Sequence, residues 1–356
     1  MHWLDFYKNR RVLITGHTGF KGTWMSHLLL YAGAEIVGYS LPPAASPNFF
    51  EMCEFTDNLH SVYGDVRNLS QMERIFKDFS PEIVIHMAAQ PIVRESYRAP
   101  VYTYEVNVMG TVHVMECVRK CSSVRSVINV TTDKVYKNRE WCWGYRENEE
   151  LNGYDPYSNS KSCSELVTSS YRDSFLKEKG IAVSTARAGN VIGGGDFAAD
   201  RIIPDCVRSV ADHHDILVRN PYSIRPYQHV LEPIAVYLDL AARQAENPEL
   251  AGSYNVGPNE TDCLTTGELV SLFCQKWEKA SGNPIHWISQ HESGPHEAGC
   301  LKLDCSKLKD ILGWQPVWSI GQTMEEVTEW YYDYLTGKDI EACTLKQIQA
   351  FLQKRE

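Results

Sequence analysis

Short apolar runs and helix-period stretches alternate along the first half of the chain. Residues 11–15 (RVLIT), with an apolar centre, read as a buried strand, followed by a glycine-rich turn and a helical pattern over residues 22–32. Residues 35–39 and 62–66 read as the second and third strands. Residues 82–89 (EIVIHMAA), 127–132 (VINVTT) and 182–186 read as further buried strands. Helical patterns over residues 102–120 and 157–179 lie between the later ones. Strands that are apolar throughout and alternate with helices predict an α/β architecture, a parallel sheet covered on both faces.

From about residue 190 the rhythm changes. Pro, Gly, Arg and aromatic residues become denser and the helical pieces shorter. The expected layout is therefore a Rossmann-type doubly wound parallel sheet over residues 1–189, with a smaller mixed α/β substrate lobe built mainly from residues 190–356. That lobe should cover the C-terminal strand ends, where ligands bind in such sheets. A helical pattern over residues 231–244 is expected to pack back on the first domain, so part of residues 228–257 is assigned to it.

Composition narrows the class. The chain has 356 residues, 43% hydrophobic and 22% charged, as expected of a globular protein. No apolar run approaches the roughly 18 residues of a membrane span, and the first eleven residues lack the layout of a signal peptide. A cytoplasmic location is the expectation, with no membrane partner. The net charge of −10 argues against nucleic acid as a partner. An anionic substrate would then need a local arginine cluster. The eleven cysteines are scattered without CxxC or zinc spacing, so no metal site is expected.

Gly16, Gly19 and Gly22 form GxxGxxG in TGHTGFKG, between the first strand and a helix. This spacing permits a tight turn whose N–H groups, at the positive end of a helix, can hold a pyrophosphate. Thr18 and Phe20 belong to the same turn. A dinucleotide cofactor is expected. NAD binders usually carry an acid at the end of the second strand, but here the residues are Tyr39, Ser40 and Leu41, with neither an acid nor an arginine. Asp65, after the third strand, is the candidate contact to adenine, with Val66 beside it. NAD is the expected cofactor and NADP stays open.

Tyr157 and Lys161 form YxxxK at the start of a helix, one turn apart on one face. A nearby ammonium favours tyrosinate, which suits a base that deprotonates a sugar hydroxyl during hydride transfer.

The order TGHTGFKG, HMAAQ (86–90), VTTDKVY (130–136) and YSNSK resembles the extended short-chain dehydrogenase/reductases over nearly the whole chain. The resemblance implies that Ala88, Ala89, Gln90 and Asn107 face the cofactor together with Tyr157 and Lys161. It also implies that Thr132 hydrogen-bonds the reacting sugar oxygen. In the nucleotide-sugar 4,6-dehydratases of that family an acid follows, to protonate the leaving C6 hydroxyl, usually with a glutamate that removes the C5 proton. Here Asp133 is followed by Lys134. The Asp matches the proton donor. The Lys departs from the Asp-Glu pair and resembles the members that take CDP-glucose, and Lys134 has two readings, C5 base or ion-pair partner of Asp133.

Segments RAGNVIGGGD (187–196) and RPYQHV (225–230) resemble family landmarks on the nucleotide-sugar side. By that resemblance Asn190 lies near the diphosphate. Arg201, Arg219 and Arg225 are candidates to neutralise it, since guanidinium groups bind phosphate oxygens bidentately. Arg94 is a further candidate, and His229 reads equally as a substrate contact or a structural histidine. A sugar-nucleotide epimerase is the rival reading, and Asp133 separates the two. The resemblance also implies a homodimer formed through the helices over residues 102–120 and 157–179.

Overall fold

The computed structural model describes residues 3–43, 46–289 and 300–355. Seven parallel strands make the central sheet: β1 (Arg11–Thr15), β2 (Glu35–Ser40), β3 (Leu59–Tyr63), β4 (Ile83–His86), β5 (Ser126–Thr132), β6 (Ala182–Ala188) and, far along the chain, Ser253–Val256. Their spatial order is Ser253–Val256, β6, β5, β4, β1, β2, β3, so the winding direction reverses between β1 and β4. A ligand crevice is expected beyond the C-terminal ends of these two strands. β4, β5 and β6 are buried along their whole length, which is why their sequences show no apolar–polar alternation and their few large polar residues, His86, Asn129 and Arg187, are hydrogen-bonded internally.

Helices cover both faces. α1 (Phe20–Tyr31), α2 (Leu69–Phe79), α3 (Val93–Arg98), α4 (Pro100–Tyr104), α5 (Gly110–Lys120) and α6 (Pro156–Tyr171) belong to the first half. A π-turn at Glu105–Met109 joins α4 to α5, and another at Arg172–Leu176 extends α6. α1 is buried from Gly22 to Leu29 because it lies between the sheet and helices of the C-terminal half. That accounts for an apolar pattern with no polar face.

After β6 the chain makes β7 (Val191–Ile192), α7 (Ile202–Ala211), β8 (Ile216–Val218), β9 (Ile224–Arg225) and β10 (Gln228–His229). It then returns to the sheet through α8 (Leu231–Glu246) and Ser253–Val256, here β11. β12 (Leu264–Thr265), α9 (Thr266–Ser281), β13 (Trp287–Ser289), α10 (Ser306–Leu312), α11 (Ile320–Leu335) and α12 (Ile340–Arg355) follow. α8 packs on β5, β6 and α1, and Tyr7 reaches it to donate to the Leu238 carbonyl at 2.6 Å. Capping boxes begin α9 (Thr265 with Glu268) and α11 (Ser319 with Gln322).

The expected third strand is displaced. It occupies Leu59–Tyr63 rather than residues 62–66, because it is the sheet edge, where His60, Ser61 and Tyr63 face solvent and carry no apolar signal. Gly64 and Asp65 then turn the chain toward the crevice.

Candidate active site

A cleft of about 1310 Å³ opens over the C-terminal ends of β1, β4, β5 and β6 and is closed on its far side by residues of the second half. Its cofactor wall begins with the turn between β1 and α1. Gly16 has φ +82°, and a Cβ at Gly22 would sit 2.2 Å from the Gly16 carbonyl oxygen, so the turn and the first coil of α1 close on each other only without side chains. Gly19 occupies the N-cap position and supplies no side-chain cap, which leaves the helix N–H groups open to the cleft. Thr18 hydrogen-bonds Ser40 at 2.8 Å and donates to the Leu41 carbonyl at 3.0 Å, tying this turn to the end of β2. Phe20, Asp65, Val66, Ala88 and Ala89 also line the cleft. Burial raises the Asp65 carboxyl, but hydrogen bonds from Arg67 outweigh that and hold it below its ordinary value.

Gln90 and Asn107 stand behind this wall, not on it. Both are buried: Asn107 accepts from the Gln90 N–H at 2.8 Å, and donates to the Gln90 carbonyl at 3.1 Å and to Ser160 at 2.9 Å. From there they shape the loop that follows β4.

The reacting end is built where β5 meets α6. Asp155 caps α6, accepting from the Ser158 N–H at 2.9 Å, and Pro156 takes the first helical position, so Tyr157 is fixed in the first turn. Burial pushes the Tyr157 phenol up to about 12, while its hydrogen bond with Thr132 and the Arg201 guanidinium pull against it. Lys161 is buried, donates to the Val130 carbonyl at 3.1 Å, and is lowered to about 8 by burial against the pull of Glu165. Thr132 ends β5 and donates to Asp133 Oδ1 at 2.9 Å. Asp133 is fully buried, and its Oδ2 has no hydrogen-bond partner among the described residues. Lys134 Nζ lies 3.2 Å from Asp133 Oδ1 and 3.4 Å from Asn190 Oδ1. Thr132, Lys134, Tyr157, Lys161 and Asn190 all line the cleft.

The far wall carries Arg94, Arg201, Arg219 and Arg225. Acids hold the first three: Arg201 pairs with Asp196 at 2.8 Å, and Arg219 and Arg94 approach Asp200 at 3.0 and 3.5 Å. Arg225 donates to the Ile224 carbonyl at 2.9 Å. His229 is not on this wall. It is fully buried, with its ring edge-on to Trp24 and Trp318 at 5.6 and 4.7 Å between centroids. Burial lowers it to about 3. Its burial against the two tryptophans is what the structural one of its two readings expects.

Two groups escaped the sequence reading. Lys21, inside the glycine motif, lines the cleft, and burial followed by the Arg201 and Lys161 cations pushes its amine down to about 7 against the pull of Asp133. Beneath the site, Glu165 and Arg187 form an ion pair at 2.8 Å with both side chains almost fully buried. A glutamate one turn after Lys161 was the available signal for that pair.

The glycine turn, the YxxxK helix and the Asp-Lys turn share one cleft on a 3-2-1-4-5-6 sheet, and a sequence model described as GDP-mannose 4,6 dehydratase matches residues 13–327. The chain belongs to the GDP-mannose 4,6-dehydratase family. Among relatives of this dehydratase family, the CDP-glucose 4,6-dehydratase of Salmonella typhimurium is 44% identical over 354 residues, covering 98% of each chain. The CDP-paratose 2-epimerase of Salmonella typhi is 23% identical, over 90% of this chain and 98% of its own. The fold matches the dTDP-glucose 4,6-dehydratase of Bacillus anthracis in complex with NAD, with TM-score 0.77, 20% identity, and 92% and 98% of the two chains covered. It also matches the UDP-glucose 4-epimerase of Thermotoga maritima with UDP-glucose, with TM-score 0.78, 22% identity, and 91% and 99% covered.

Proposed function

We propose that this dehydratase converts CDP-D-glucose to CDP-4-keto-6-deoxy-D-glucose with NAD as a catalytic cofactor. The observation that carries the reaction type is Asp133, a fully buried carboxyl whose Oδ2 has no hydrogen-bond partner among the described residues, set against Thr132 and Lys134, which line the reacting end of the cleft. An epimerase needs no such acid. The choice of CDP rests on the 44% identical relative. NAD fits the uncapped helix end and the cradle left by Gly16 and Gly22. NAD rather than NADP is favoured because among the described residues no cation follows β2 directly, where Leu41, Pro42 and Pro43 stand, and Arg67 is held by Asp65 and Glu105.

In this reading Tyr157 takes the proton of the sugar C4 hydroxyl, Thr132 shares that hydrogen bond, and Lys161 holds a positive charge one helical turn away. NAD supplies the hydride acceptor at C4 and the hydride that later returns to C6. The C4 ketone acidifies C5, whose proton Lys134 removes. Asp133 protonates the C6 hydroxyl, which leaves as water. Their side-by-side placement, Nζ to Oδ1 at 3.2 Å, supports a reading in which acid and base act on neighbouring carbons of one sugar. Asn190, Arg94, Arg201, Arg219 and Arg225 would receive the diphosphate, exchanging their present acidic or backbone partners for phosphate oxygens.

The same reading includes a cytoplasmic location and a homodimer through α4–α5 and α6, whose outer faces expose Val101, Met109, Leu166 and Phe175. No helix among the described residues is long and apolar enough to cross a membrane. The test of the mechanism is Asp133→Asn. Mixed with NAD and CDP-glucose, it should accumulate the absorbance of reduced nicotinamide without losing water from the sugar. Dehydration at the wild-type rate would refute the role of Asp133.

A further inference from the structure

Below the reacting groups lies a charge that the proposed chemistry does not touch. Glu165 follows Lys161 by one turn on the buried face of α6. Its carboxylate is saturated. Thr131 donates to Oε1 at 2.5 Å, Thr185 to Oε2 at 2.6 Å, and Arg187 to Oε1 and Oε2 at 3.0 and 2.8 Å. Arg187 continues outward, donating to the Tyr136 hydroxyl at 2.8 Å and to the Glu147 carbonyl at 2.9 Å. Tyr136 in turn donates to Asn255 on β11 at 2.6 Å. The pair therefore grips β5 beside the Val130 carbonyl that holds Lys161, and it also grips the far side of the Asp133–Lys134 turn through Tyr136.

A buried ion pair is weak evidence for stability, since apolar residues of similar shape often serve as well. Its place here suggests another use. We propose that Glu165 is a positioning residue for the reaction, an anion locked by Arg187 that keeps Lys161 cationic and fixes the end of β5 carrying Thr132. The inference rests on the reading of Tyr157 and Lys161 as the groups that deprotonate the sugar hydroxyl.

The charges around Lys161 single out Glu165 as the lever. On its own helix stand Tyr157 and Glu165, on the β5 turn Asp133 and Lys134, on β4 His86, on α1 Lys21, and across the cleft Arg201. Burial and the Lys161 charge hold His86 near 3, so it stays neutral. Burial takes the Lys161 amine down to about 8, and Glu165 is the group that opposes it. Without that anion the amine falls further and loses its proton in the working range.

The test uses the full-length protein in two variants, Glu165→Gln and the double variant Glu165→Gln with Arg187→Met, which leaves no buried charge unpaired. Two quantities are read. The first is the titration of Lys161, followed by NMR of the isotope-labelled lysine ε-carbon and assigned by its loss in Lys161→Met. The second is the pre-steady-state rate of transient nicotinamide reduction with CDP-glucose, read in a single turnover against pH. The Lys161 titration should move down by about one pH unit or more, the equivalent of a tenfold change in its protonation balance. The rate should stay within about twofold of wild type near pH 6 and fall about tenfold above pH 8, because only the cationic fraction is lost.

An unmoved Lys161 titration with a rate lowered by one factor at every pH would overturn the proposal. So would failure of both variants to fold, which would make the pair purely structural. If the wild-type protein transfers no hydride from CDP-glucose to NAD, the functional reading fails, while the NMR titration still decides this one.

Discussion

Two glycines of one motif should fail in different ways when given a methyl group. At Gly22 a Cβ would lie 2.2 Å from the Gly16 carbonyl oxygen and 2.5 Å from His17 Cα, both backbone atoms. Carbon–oxygen contacts of this kind settle near about 3.3 Å, so the turn must retreat from α1 by about 1 Å. Neither neighbour is a flexible side chain that can swing away. Overpacking of this sort costs about 1–3 kcal/mol, which for a chain of this size lowers Tm by roughly 1–4 °C. The turn that retreats is the one that must meet the pyrophosphate, and a misplacement of about 1 Å is expected to weaken its work ~100-fold. At Gly19 a Cβ would meet only the Gly16 carbonyl oxygen at 3.4 Å, an ordinary contact, and would otherwise point into the cleft. Gly19→Ala should therefore keep the wild-type Tm while losing NAD affinity on a similar scale, since the methyl fills the space the phosphates need. Thermal melts without ligand and calorimetric titration with NAD separate the two cases. A Gly22→Ala protein with wild-type Tm and NAD affinity within about threefold would refute the reasoning, threefold being well under 1 kcal/mol.

Other outcomes follow from the buried titrating groups. Burial holds His17 and His27 near 4 and His86 and His229 near 3, below the ordinary 6.5. The folded state thus resists protonation, and its stability should be full above about pH 6.5 and drain away toward pH 3–4, with about 2 kcal/mol lost per such histidine at pH 5. Denaturant midpoints at the two pH values check this, and an unchanged midpoint would contradict it. Lys21, near 7 in the open cleft, should regain its proton when a diphosphate arrives. Calorimetry at pH 8 in buffers of different ionisation enthalpy should show proton uptake on ligand binding that Lys21→Met abolishes, and equal uptake by both proteins would exclude Lys21 from the effect.

The sheet was legible because its central strands are buried on both faces and so write their positions in unbroken apolar runs. The edge strand was placed three residues too far along, since an edge that faces solvent leaves no such run. The reacting groups were legible because the chemistry packs them into two short segments, residues 132–134 and 157–161. Groups that act from behind were not. Gln90 and Asn107 look like wall residues in the sequence, yet they bond each other beneath the loop. His229 gives no sign of the two tryptophans around it, which come from residues 24 and 318. Glu165 sits among serines that are themselves buried, so α6 reads as a polar surface helix where it is in fact the floor of the site. Burial of hydroxyl-rich helices is set by what packs on them, and a single sequence does not carry that.

The central claim is a reaction, loss of water across C5 and C6 with NAD returned unchanged. Purified protein with NAD and CDP-glucose in deuterated water, its product read by mass spectrometry and NMR, tests it most directly. The account predicts a 4-keto-6-deoxy sugar nucleotide with deuterium at C5 and no net reduced nicotinamide. A product that keeps its C6 hydroxyl and differs only in configuration at C4 would contradict it.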